Sequence, residues 1–336
     1  MNRSNGKLSA LRGDINRPVF VIGTARCGLT PLMDLISYHK AFAWPSQFNN
    51  RHPKNYGVSF FSRLVDLPGL RSSSVKLRKF PRHAEAFALW NDLFLGFGRP
   101  FRDLRAGDVT PYTKARFQHA VAEIMRYQGK PRFIAEYSGW SRIRFLKAIF
   151  PEAQFIHIVR DGRAVAHSLT NVAWWQGWEG VHKWRWGIPP PELLAQLEKY
   201  DYSFLAMAAV HWKILINNIM EESQKLAAED ILLVRYEDLV KEPFKEAYRC
   251  IAFCGLDADC PRFRRHLATV KIVDANKKKF RIPAWRENLS PAQIAMLNDL
   301  LADELICFDY LQSDKSNATI EKKKSVAAKN LCDVEL

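Results

Sequence analysis

The stretch VIGTARCGLT, residues 21–30, decides how the rest of the chain is read. It follows the phosphate-loop template G-x-x-x-x-G-K-[ST] at every position but one: Gly23, Gly28 and Thr30 stand where the template has them, and Leu29 replaces the lysine. PVFVIG reads as a short buried strand rich in β-branched residues, and PLMDLISYH after the loop reads as a helix. The amides and dipole at a helix N-terminus attract phosphate whatever side chains the loop carries. Losing the lysine therefore spares the geometry and relocates the cation, because Arg26 inside the loop lies beside the same anion. A glycine-containing turn that binds nothing has the same local pattern, so the rest of the chain must decide.

Composition narrows the classes. The chain has 336 residues, 48% hydrophobic and 12% aromatic, enough for a sizeable core. No run of eighteen apolar residues occurs and the N-terminus has no signal-like apolar region, which implies neither a membrane span nor secretion and a cytoplasmic location. Six scattered cysteines without a CxxC pair indicate reduced thiols, not a disulfide framework or a zinc site. Fifty Lys and Arg against 35 Asp and Glu leave a net charge of +15, a field that gathers anions: nucleic acid, an acidic membrane surface or a polyanionic small ligand.

Beyond the loop, strands alternate with helices. PRFIAEYS, AQFIHIVR and DILLVRYEDL read as strands; HAEAFALWNDLFL, KARFQHAVAEIMRYQ, RIRFLKAIF, the long YDYSFLAMAAVHWKILINNIMEESQKL and PFKEAYRCIAFCG read as helices. SPAQIAMLNDLLADELICF reads as one last helix opened by a Ser cap and a Pro in the first turn. This order predicts an α/β three-layer sandwich around a central parallel sheet, P-loop-like in type. Residues 1–16 read as a flexible lead, 17–312 as one domain and 313–336 as a flexible polar tail.

A second element lies in FIHIVRDGRAVAHSL, residues 155–169. Arg160 ends a buried strand, Gly162 permits a tight turn, and Ser168 follows eight residues after Arg160, about two helical turns along if a helix begins near the turn. Both face the crevice at the carboxyl ends of the strands, where open parallel sheets bind ligands, and one phosphate satisfies both.

At these residues the chain resembles the sulfotransferases that use 3′-phosphoadenosine-5′-phosphosulfate (PAPS), over roughly residues 18–312. RCGLT is similar to the family's 5′-phosphosulfate loop, with Arg26 at the position of its catalytic cation; Arg160 and Ser168 match its 3′-phosphate element. VRYEDLVKEP matches a strand end whose Tyr236 the resemblance places near the adenine, and FRIPAWRENLS looks like the late basic segment that closes over the nucleotide, with Lys279, Arg281 and Arg286. The resemblance implies PAPS as co-substrate, held by residues 23–30 (Gly23, Thr24, Ala25, Arg26, Cys27, Gly28, Leu29 and Thr30) with Arg160, Ser168, Tyr236, Arg281 and Arg286, and no metal. Cys27 and Leu29 depart from the usual hydroxyl residues, which leaves backbone amides and Thr30 to hold the phosphate and keeps open a catalytically weakened relative.

Deprotonating an acceptor hydroxyl calls for a carboxylate or histidine. Some branches carry a Glu in the segment after the first helix; here that segment has Gln47. Candidates are Glu136, Asp108, His52 and His83, the alternative for Glu136 being a buried ion pair with Arg142 or Arg144. Trp174, Trp175, Trp178, Trp184 and Trp186 crowd thirteen residues after the 3′-phosphate element, in a segment that suits either a lid over the acceptor or a hydrophobic cover for the sheet edge. Bacterial relatives act on carbohydrates, lipids or secondary metabolites, so a small-molecule, glycan or lipid acceptor is implied. A P-loop kinase or nucleotide hydrolase needs the missing lysine and an acidic metal site. A nucleic-acid binder would need a recognised module, and none is legible.

Overall fold

The computed structural model describes residues 15–67, 81–98, 101–181, 184, 189–270 and 284–311. The tail, most of the lead, Lys279, Arg281 and Trp186 lie outside the described residues.

Strand β1, Val19–Gly23, is buried along its whole length. Helix α1 (Leu29–Ile36) leads to the short β2 (Phe42–Ala43) and to α2 (Gln47–Arg51), whose Ser46 cap closes a capping box with Asn49. A 3₁₀ stretch, Tyr56–Asp66, comes next. The middle of the chain holds α3 (Phe87–Leu93), α4 (Pro111–Gln128), β3 (Arg132–Ser138), α5 (Ile143–Ile149), β4 (Gln154–Val159) and α6 (Gly162–Leu169). Then follow α7 (Pro191–Glu198), α8 (Phe204–Ser223), β5 (Ile231–Arg235), α9 (Tyr236–Lys241), α10 (Pro243–Phe253) and α11 (Pro261–Thr269). The last elements are α12 (Ala284–Asn288), α13 (Pro291–Leu300) and α14 (Ala302–Cys307).

The five strands form one sheet in the order β2-β3-β1-β4-β5, every pair parallel. Side chains alternate across a strand, so β1 divides its residues between two cores. Phe20 and Ile22 pack with α3, α4 and α5 on one face; Val19 and Val21 pack with α1, α10 and α11 on the other. A third cluster, built from α6, α8, α13 and α14, flanks the β4 side. Strands covered on both faces read as continuous apolar runs, and β1 does; β4 is buried throughout but carries Gln154 and His157.

One expectation needs correction. The final helix is two helices, because Leu301 (φ −114°, ψ 12°) leaves helical geometry between them. The break lets Leu297 and Leu300 on one side and Leu305 and Phe308 on the other reach the same apolar cluster.

Candidate functional site

The loop between β1 and α1 is shaped by its glycines. Gly28 takes a left-handed conformation (φ 108°), and a Cβ there would lie 2.3 Å from Cδ2 of Tyr236. A Cβ on Gly23 would meet the Cys27 thiol and the Ile158 carbonyl, each at 2.6 Å. Cys27 and Leu29 turn into the core that includes Leu32 and Met33, which explains why neither needs a polar side chain: only their backbone remains for a ligand. Burial pushes the Cys27 thiol up to about 12, so it stays protonated and unreactive. Thr24, 2% exposed, has a buried hydroxyl with no hydrogen-bond partner among the described residues, and Thr30 is exposed at the start of α1.

Arg26 is a non-glycine residue at φ 67°, a conformation that persists when the surroundings fix it. Here they do. Its Nε donates to Ser168 Oγ at 2.9 Å, and Arg160 Nη1 donates to the Arg26 carbonyl at 3.1 Å. The Arg160 guanidinium lies 4.5 Å from the centroid of the Tyr236 ring. Burial raises the Tyr236 hydroxyl, against the pull of both Arg160 and Arg26. Arg26, Arg160, Ser168 and Tyr236, drawn from three separate stretches of the chain, thus converge at the carboxyl edge of β1, β4 and β5.

The turn after β4 is held from below. Asp161 caps α6 and pairs with Arg163 at 2.8 Å, both buried, and Glu237 accepts from the Asp161 amide and from Tyr310 Oη. Arg163 also lies 4.6 Å from the Trp285 ring centroid, so α12 rests on α6, the helix that carries Ser168. Arg286, exposed, flanks the same ring at 5.2 Å. Sequence reasoning passed over this support; the Trp-Arg pair in PAWRENLS was its one visible sign.

On the other flank of the loop the candidate bases fare differently from the reading of the sequence. Glu136, 2% exposed, accepts from or shares a proton with His83 Nδ1 at 2.7 Å, while His83 Nε2 meets Asp34 Oδ1 at 2.8 Å. Arg142 is spent on the Phe97, Ser138 and Trp140 carbonyls and Arg144 on Glu222, so neither pairs with Glu136. Burial opposes charge on His83, but the Glu136 and Asp34 carboxylates outweigh it and raise the imidazole to about 9. Asp108 is gripped by Arg102 through both oxygens at 2.8 Å and by the Arg105 amide, which hold it down at about 2, a weak base. His52 caps the end of α2 and is exposed. Of the described tryptophans in the aromatic segment, Trp175 and Trp184 are buried and Trp174 and Trp178 exposed, so the segment both covers the third core cluster and shows indole faces outward.

A model of the sulfotransferase family matches residues 18–259. The chain belongs to the sulfotransferase family. Among curated relatives, this sulfotransferase is similar to the nodulation protein NoeE of Sinorhizobium fredii (strain NBRC 101917 / NGR234), 26% identical over 197 residues that make up 52% of this chain and 43% of NoeE. The chain therefore spans less than half the length of that relative. Among solved structures, sulfotransferase STF9 from Mycobacterium avium superposes with a TM-score of 0.58 at 16% identity, covering 92% of this chain and 80% of its own; this likeness shows the fold. A sulfotransferase domain from the curacin biosynthetic pathway matches 86% of this chain and 99% of its own at 14% identity with a TM-score of 0.47. Among the described residues, no helix is long and apolar enough to cross a membrane, and no three His, Cys, Asp or Glu are grouped to hold a metal ion.

Proposed function

We propose that the protein transfers the sulfuryl group of PAPS to a hydroxyl or amine of a carbohydrate, lipid or secondary-metabolite acceptor, in the cytoplasm. One observation carries the reading: Arg26 and Arg160 are joined through a single peptide carbonyl, with Ser168 on the Arg26 side chain and Tyr236 under Arg160. A donor with phosphates at both ends of an adenosine fits that arrangement. Arg160 and Ser168 would hold the 3′-phosphate, the loop amides with Thr24 and Thr30 the 5′-phosphate, and Tyr236 the adenine side, with Arg286 closing over. The residues fit the group: an unpartnered Thr24 hydroxyl and a glycine-only approach at Gly28 are what a buried phosphate needs.

Arg26 supplies the chemistry. As the acceptor attacks sulfur, negative charge builds on the oxygen that bridges to the 5′-phosphate, and a fixed guanidinium stabilises that charge more in the transition state than in the ground state. No step calls on the absent lysine or on Mg²⁺.

A thermal-shift assay separates this reading from a nucleotide kinase or hydrolase. The desulfated product, 3′-phosphoadenosine-5′-phosphate (PAP), is expected to stabilise the protein without Mg²⁺, by about 2.7 kcal/mol at a hundred times its Kd. Stabilisation by ATP·Mg²⁺ in place of PAP would overturn it. Incubation with ³⁵S-labelled PAPS and a panel of glycans, phenols and lipids identifies the acceptor; PAP binding without any transfer would mark a catalytically weakened relative.

A further inference from the structure

Glu85 was not singled out by any sequence pattern. It sits on a short ribbon in which residues 82–84 run antiparallel to Pro45–Gln47: Gln47 N donates to Arg82 O at 3.1 Å, Arg82 N to Gln47 Oε1 at 2.6 Å, and Ala84 N to Pro45 O at 3.0 Å. The chain then turns through Ala86, a non-glycine residue at φ 49°, into α3. Ser138, the last residue of β3, donates hydrogen bonds from its hydroxyl and its backbone to the Glu85 carboxylate. Ser138 is paired in register with Gly23, the first glycine of the phosphate loop, and Gly139 N donates to the Gly23 carbonyl at 3.0 Å. The carboxylate is near enough to the loop for its charge to raise the thiol of Cys27, the neighbour of Arg26.

Sheet order turns these contacts into a direction. β1 lies between β3 and β4, so the loop that leaves β1 has two flanks. Arg160, Ser168 and Tyr236 occupy the flank of β4 and β5, and Glu85 with Ser138 occupies the flank of β3. If the nucleotide lies toward β4, as the proposed function has it, the acceptor must approach from β3. Building on that reading, we propose that Glu85 is the catalytic base: its carboxylate takes the proton of the acceptor hydroxyl. The acceptor oxygen then forms the new O–S bond, and the S–O bond to the 5′-phosphate breaks with its electron pair on PAP. The proton passes from Glu85 to water.

The surroundings suit that task. Burial and then the charge of Glu136 raise Glu85 to about 7, against the Ser138 hydrogen bonds and the Arg142 guanidinium. Among the described residues, Arg142, Glu136 and Cys27 are charged or titratable groups that bear on it; Glu136 is in turn tied to His83, which also meets Asp34. A group ionising near neutrality is matched to proton transfer at physiological pH. Glu85 is also half-buried, whereas the Glu136 side chain is 3% exposed and bound to His83.

The test compares wild type, Glu85→Gln and Glu85→Asp, with ³⁵S-labelled PAPS and the acceptor panel. Glu85→Gln is expected to lower transfer about a hundredfold or more and to remove the acidic limb of the pH profile, with PAP affinity within about threefold of wild type; Glu85→Asp recovers part of the rate. Because the amide removes a charge that burial disfavours, the melting temperature of Glu85→Gln at pH 8 should equal or exceed that of wild type, which excludes misfolding as the cause. Transfer by Glu85→Gln at the wild-type rate with an unchanged pH profile overturns the proposal. A second measurement stands apart from turnover: calorimetry of PAP binding at pH 7.5 in two buffers of different ionisation heat. An anion bound beside Glu85 raises its proton affinity, so wild type takes up more protons than Glu85→Gln; equal uptake overturns the placement. Failure of wild type to bind PAP at all would refute the proposed function itself, a result distinct from either outcome for Glu85.

Discussion

The two flanks of the phosphate loop are built by opposite means. Toward β4 the site consists of exposed or half-exposed cations, and among the described residues neither Arg26 nor Arg160 pairs with a carboxylate; one hydroxyl and one carbonyl orient them. Toward β3 it consists of groups that neutralise one another, buried His83 and Glu136 with half-buried Asp34, and Glu85 alongside. The first flank is open to an anionic ligand from outside, while the second supplies its own counterions and so contributes to stability as well as to chemistry.

The largest expected effect falls on the second flank. His83→Ala leaves the Glu136 carboxylate, 3% exposed, without its cation, while Asp34 keeps Arg82 at 2.7 Å, and is expected to cost about 3–5 kcal/mol of stability in urea denaturation at pH 7. A loss under 1 kcal/mol would show that the flank does not rest on ion pairing. Next comes Arg26→Ala, expected to lower turnover a hundred- to a thousandfold, about 3–4 kcal/mol of barrier, with folding intact; undiminished kcat would remove Arg26 from the chemistry. The flanks should also part in their response to pH. His83 has a folded-state value of about 9, above its ordinary 6.5, so its contribution to stability is complete below pH 6.5 and is lost as pH rises through 9. The melting temperature should therefore fall across pH 6.5–9 in wild type by more than in His83→Ala, and identical slopes would refute the raised imidazole. Gly28→Ala forces a Cβ into a left-handed turn against Tyr236, at about 1–3 kcal/mol, read as loss of melting temperature and of PAP affinity. Smallest is Ser168→Ala, expected to weaken PAP about tenfold and leave the fold unchanged; full affinity would detach Ser168 from the 3′-phosphate.

The same contrast explains what the sequence could convey. Strand β1 is an apolar run, β3, β4 and β5 are mostly apolar runs interrupted by single polar residues such as Glu136 and His157, and the loop and the Arg160–Ser168 pair are short local patterns, so the sheet and the first flank were legible in the sequence. The second flank joins residues 34, 83 and 136, brought together by a two-residue bridge between Ser46 and His83 that no periodicity marks. Glu136 was legible as a strand-end carboxylate, but its partner was not: Arg142 and Arg144 are nearer in sequence, and tertiary packing sends both elsewhere. α2 escaped because the Ser46 capping box, not an apolar stripe, defines it. Gln47, which stands where some branches carry an acid, gave no hint that the bridged segment beside it leads into Glu85.

The Arg160 guanidinium rests on the Arg26 carbonyl and the Arg26 guanidinium on Ser168, and among the described residues no acid offsets either charge, which leaves a dianion to do so. Handling conditions follow from this. Sulfate, phosphate or citrate in a preparation buffer would settle into the crevice, sharpen the melting curve and mask weak nucleotide affinity, whereas chloride or acetate media would leave the cradle available and report the true dissociation constant.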